Sequence, residues 1–129
     1  DFSGRWEAAM QKWTQQAKSL RGVMVVEHHK NMEYLLNWLG MKAVATLEPK
    51  PGVEPGAAHL TQLLAQLQRQ PARMVIRAAY QDDRASLWLA ERARIPAVQL
   101  SFTVGGNDKA KDLFSLFDDT VQRLLEANK

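Results

Sequence analysis

His28 and His29 stand together at the end of a valine-rich run, VMVVEHH, with Glu27 before them and Glu33 shortly after. Imidazole nitrogens beside carboxylate oxygens are donors that hold a divalent cation without sulfur. The chain has no cysteine, which excludes a disulfide framework, a thiolate site and a cysteine nucleophile. A cation held here is therefore held by nitrogen and oxygen, a donor set that suits zinc or manganese. Consecutive residues on a strand point to opposite faces. One of the two histidines is thus expected on a cleft, and the other against solvent or packed. Glu27 and Glu33 have two readings: carboxylates that orient a ligating imidazole, or solvated charges at a strand end. His59, in GAAHL, reads as exposed.

A second candidate cluster is Tyr80, Gln81, Asp82 and Asp83, after the run RMVIRA. Asp82 offers an oxygen ligand and Tyr80 a phenol, while Asp83 suits the cap of the next helix. Ser101 ends a further apolar run and could approach His29. There is no nucleophile elbow and no HExxH, so a hydrolase is the least favoured reading and no enzyme is expected. The TVGG at 103–106 lacks both the GxGxxG spacing and the lysine of a phosphate loop, and reads as a glycine turn.

These side chains need a scaffold. A 129-residue chain with 46% hydrophobic content suits one compact domain with one core. No run approaches eighteen apolar residues, so no membrane-spanning helix is expected. The opening DFSGRWEAAMQKW is amphipathic and mixed in charge, unlike a signal or transit peptide. The net charge of +3 comes from 17 basic and 14 acidic residues spread along the chain, which argues against nucleic-acid binding.

Helical spacing of Trp6, Met10, Trp13, Ala17 and Leu20 predicts a first helix over 2–20, with Ser3 as its cap and Gly22 at its end. A buried strand over 23–27 follows, then a helix over 31–39 closed by Gly40. A strand over 43–47 comes next, then a proline- and glycine-rich loop over 49–56. Further along come a helix over 57–68, a strand over 73–78, a helix after Asp83, a strand over 97–101 and a last helix over 110–126. Strands alternating with helices predict an α/β fold: a four-stranded parallel sheet with right-handed crossovers and helices on both faces. In such sheets ligands gather beyond the carboxyl ends of the strands, where both histidines and Asp82 fall.

From Val23 onward the chain resembles the carboxyl-terminal domain of the periplasmic solute-binding proteins of zinc and manganese ABC transporters. The matching segments are a helix ending in RG, VMVVEHHKNMEYLLNWLGM, LEPKPGVEPGAAHLTQLL, ARMVIRAAYQ, VQLSFTVGG and DLFSLFDDTVQRLL. In that family a valine-rich strand ends in a histidine, followed by an aromatic residue five positions on and a helix-closing glycine. Here these are His29, Tyr34 and Gly40.

The resemblance implies two α/β lobes joined by one long helix, with the metal between them. Residues 1–22 would then be the end of the linking helix and 23–129 the second lobe. His29 would be a direct ligand for Zn2+ or Mn2+, with His28, Tyr80, Gln81 and Ser101 lining the cleft. The family's other two ligand positions in this lobe fall on Ala79 and Ser101, neither a usual ligand, and Asp82 could substitute for the first. The isolated lobe should therefore bind metal weakly. The implied partners are the metal ion, an amino-terminal lobe and an ABC permease, in the periplasm or otherwise outside the cytoplasm. The implied helix would leave its tryptophans unusually exposed, a face that could carry a dimer. The alternative is an interaction or solute-binding module of the same fold that has lost metal binding.

Overall fold

Helix α1 (Phe2–Gln16) is capped by Asp1, whose carboxylate accepts the amide of Gly4 at 2.7 Å. The cap is thus two residues earlier than the Ser3 expected. The helix tightens into a 3-10 turn over Ala17–Leu20, and Gly22 reverses the chain at φ 81°. The computed structural model describes the whole chain except residues 31, 51, 102–111 and 129. Strand β1 (Met24–Glu27) and helix α2 (Glu33–Leu39) follow, with Gly40 in the left-handed region at φ 72° closing the helix. Then come β2 (Lys42–Thr46), α3 (Ala57–Arg69), β3 (Met74–Ala78), α4 (Arg84–Ala93), β4 (Ala97–Leu100) and α5 (Leu113–Ala127). Apart from the 3-10 turn that replaces the last four residues of the first helix, the other boundaries within the described residues differ from the sequence expectation by one or two residues, as frayed ends do. The glycine turn at 103–106 and the helix start expected at Ala110 lie outside the described residues.

The four strands are parallel and ordered β2-β1-β3-β4. Both faces are covered, and strand alternation assigns each side chain to one of them. Val25, Met74, Ile76, Ala78, Val98 and Leu100 pack with residues of α1, α2 and α5. Val26 and Val75 pack on the other face with leucines of α3 and α4. The parallel sheet with helices on both faces is thus as expected.

The tryptophans are not. Trp13 is 1% exposed, and its indole N–H donates to Asp118 of α5 at 2.6 Å. Its ring stacks on Phe117 at 5.1 Å and meets Trp6 edge-on at 5.4 Å. Trp6 in turn packs edge-on against Phe114 and Phe117. Helix α5 supplies the apolar surface that α1 needs, because its own stripe of Phe114, Phe117 and Val121 faces the same way. Trp13, at the centre of this face, is thus buried against α5, and Trp6 is half-buried rather than unusually exposed.

Candidate metal site

The sheet order places β1 between β2 and β3, so the crossovers leave β1 in opposite directions. The carboxyl ends of β1 and β3 consequently border a crevice at the point where the winding reverses. A cleft of about 600 Å3 opens there, lined by His28, Glu48, Glu54, Tyr80, Gln81, Asp82, Arg84 and Trp88, among others.

Pairing continues one residue beyond β1, since the His28 amide donates to the Ile76 carbonyl at 2.9 Å. His28 thereby keeps the alternation of Val26 and turns toward α3 and α4, onto the cleft. It is buried, and its Nδ1 has no hydrogen-bond partner among the described residues. Burial pushes this imidazole below its ordinary pKa. The Glu48 carboxylate acts the other way, and His29 and Arg77 add to the lowering. A neutral ring is the form that ligates metals.

His29 lies past the end of the ladder and is partly open, with its side chain 32% exposed. Its Nδ1 contacts the Glu48 carboxylate. The other Glu48 oxygen lies 4.0 Å from Nε2 of His28. Burial acts to raise the pKa of Glu48, but the His29 hydrogen bond, the Gly52 amide and the neighbouring imidazoles outweigh it and hold the carboxyl below its usual range.

Glu48 was no candidate in the sequence, where it reads as the start of a proline-rich loop. The available signal was geometric: β2 runs parallel beside β1, so the residue that ends β2 shares a rim with the residue that ends β1.

The flanking acids have other partners. Glu27 is 1% exposed rather than solvated, and it accepts the Met32 amide at 3.3 Å. Burial raises its pKa, against that hydrogen bond. Glu33 pairs with Lys30 at 3.3 Å. His59, expected to be exposed, is half-buried, and its Nε2–H donates to the Thr46 carbonyl at 3.1 Å, tying α3 to the end of β2.

Across the cleft, the loop after β3 is internally bonded. The Gln81 side chain accepts the Ala78 amide at 2.8 Å, and Arg77 donates to the Gln81 carbonyl at 2.9 Å. Asp82 accepts the Arg84 amide at 2.8 Å and the Arg84 guanidinium through both oxygens. These bonds, the guanidinium first, hold its carboxyl below the usual range. Asp83 occupies the cap position of α4 without a side-chain bond. Tyr80 is largely exposed at the cleft mouth.

Ser101 is buried. It lines a separate apolar cavity of about 440 Å3 together with Trp6, Met32, Trp38 and Phe117. The Ala79 amide is spent on the Leu100 carbonyl at 2.9 Å. Among the described residues no group of three or more His, Asp or Glu side chains is arranged to hold a metal ion. The described residues therefore present imidazoles on a rim, without a closed coordination shell.

Comparison with known proteins gives a consistent result. The profile of the family described as "zinc-uptake complex component A periplasmic" (ZnuA) matches residues 1–127. No curated protein sequence matches. A crystal structure of ZnuA superposes with a TM-score of 0.74 at 20% identity, covering 98% of this chain and 45% of that one. The solute-binding protein FpvC of Pseudomonas aeruginosa, in complex with Ni2+, gives 0.75 at 16% identity, covering 98% and 47%. Lmb of Streptococcus agalactiae, described as bifunctional with adhesin and metal-transporting activity, gives 0.72 at 16%, covering 99% and 50%. At these identities the likeness establishes a common fold. The chain spans about half the length of each of these structures.

Proposed function

The chain belongs to the family of periplasmic zinc-uptake components, and we propose that it is the metal-receiving second lobe of an ABC-transporter solute-binding protein whose cargo is Zn2+ or Mn2+. The carrying observation is the position of His29. Its ring stands partly open at the carboxyl rim of the sheet, beside the crevice between β1 and β3, with Nδ1 on Glu48 and Nε2 without a partner among the described residues. That nitrogen is the ligand, and Asp82 is the oxygen donor available across the cleft once it leaves Arg84.

Helix α1 is read as the end of the helix arriving from the first lobe, so residues 1–22 link and residues 23–129 receive. The first lobe supplies the remaining ligands, because tight zinc sites use four. The receptor works outside the cytoplasm and hands its cargo to a permease; it performs no catalysis. The described residues contain no helix long and apolar enough to cross a membrane.

A second reading, a module of the same fold without metal chemistry, is favoured by Ala79 and Ser101 at expected ligand positions. Calorimetry with zinc and with manganese on the full-length protein separates the two. Heat saturating at one ion per protein, lost in His29→Ala while the circular dichroism is unchanged, supports the receptor. The absence of heat with either metal overturns it in favour of the second reading.

A further inference from the structure

We propose that Glu48 is the positioning residue for His29, taking its Nδ1–H so that Nε2 is the one nitrogen offered to the metal. This inference rests on the reading of His29 as a ligand and adds the device that prepares it. A neutral imidazole carries one hydrogen, and which nitrogen bears it is set by the bond that the other groups accept. An ionised carboxylate only accepts. Contact between the Glu48 carboxylate and Nδ1 therefore places the hydrogen on Nδ1 and the lone pair on Nε2.

The carboxylate can do this because its backbone is fixed to the strand that carries the histidine. The Leu47 amide donates to the Glu27 carbonyl at 2.8 Å and the Glu48 amide to the His28 carbonyl at 3.1 Å. The Thr46 hydroxyl donates to the Glu48 carbonyl at 2.9 Å, and the Gly52 amide reaches the carboxylate at 3.4 Å. Positions 29 and 48 are thus registered to each other by the sheet, although nineteen residues separate them. The two carboxylates that flank the histidine pair in sequence are engaged elsewhere, Glu27 by the Met32 amide and Glu33 by Lys30, and Asp82 is held by Arg84. Carboxylates that hold a ligating histidine in this way contribute about 10–100-fold in metal affinity.

The test has two arms on the full-length protein. Long-range proton–nitrogen NMR with labelled histidine, assigned by loss of the signal in His29→Gln, reads the tautomer without any metal. The Nδ1–H form is expected in the wild type. In Glu48→Ala the ring should move toward the Nε2–H form, and Glu48→Gln, which keeps an accepting oxygen, should retain much of the Nδ1–H form. In calorimetry with zinc, Glu48→Ala should bind about 10–100-fold more weakly, with partial recovery in Glu48→Gln. A wild-type ring in the Nε2–H form overturns the inference, as does zinc binding that is equal in wild type and Glu48→Ala. Both of those results leave the receptor reading standing. Absence of zinc and manganese binding in the wild type overturns that reading, and this role with it.

Discussion

At the scale of single residues, backbone conformation makes two predictions of opposite sign. Gly40 closes α2 at φ 72°, and a Cβ added there would lie 3.3 Å from the Arg21 side chain. Gly40→Ala should cost about 1–2 kcal/mol, the penalty for a side chain in the left-handed region. Arg94 closes α4 at φ 58° and is the one non-glycine residue with positive φ among those described. Arg94→Gly should therefore stabilise the chain by about 0.5–1 kcal/mol, the relief of strain less the glycine's greater entropy loss. Urea unfolding of both variants checks the pair; the same sign for both would refute the argument. The glycine was readable in sequence as a helix stop. The arginine was not, because no glycine marks the stop; the turn shows only in the fold, where the Arg94 and Ile95 amides both donate back to the Ala90 carbonyl.

At the scale of elements, α1 and α5 hold each other. Trp13 is the centre of that contact, fully buried, hydrogen-bonded to Asp118 and stacked on Phe117. Trp13→Ala should cost about 3–5 kcal/mol, a large part of the stability of a domain this size. Trp13→Phe keeps most of the packing and should cost about 1–2 kcal/mol for the lost hydrogen bond and volume. Equal, small losses in the two variants would mean that α1 is not part of the cooperative unit.

Helix α5 is started by a capping box in which Asp112 accepts the Ser115 amide at 2.7 Å and its own amide donates to the Ser115 hydroxyl. The Ser115 amide, and then its hydroxyl, hold the Asp112 carboxyl below the usual range. A depressed folded-state pKa gives stability that is present above the unfolded-state value and lost as the pH falls through the folded one. Wild type should thus be more stable than Asp112→Ala near neutrality, and the difference should shrink in strong acid. A difference that persists in strong acid would show that the bond does not depend on the charge.

At the scale of the whole molecule, the rim carries two imidazoles and a carboxylate, with no closed shell of ligands among the described residues. If the proposed receptor reading holds, the chain by itself should bind zinc only weakly, and a protein carrying both lobes tightly, since two imidazoles and a carboxylate fall short of the four ligands of a tight zinc site. Tight binding by the lobe alone would mean that His28, His29 and Glu48 close on the ion without a second lobe.

What the residues alone determined were the features local in sequence. The alternation of apolar strands with amphipathic helices required a parallel sheet covered on both faces, and VMVVEHH put the histidines on its carboxyl rim. The tertiary structure decided everything that depends on which strands are neighbours. Glu48 meets His29 because β2 lies against β1, His28 takes the cleft because pairing with β3 runs one residue past Glu27, and Trp13 is buried because α5 returns across α1. These contacts join residues far apart in the chain, and no local periodicity encodes which distant surface will be there to complete them.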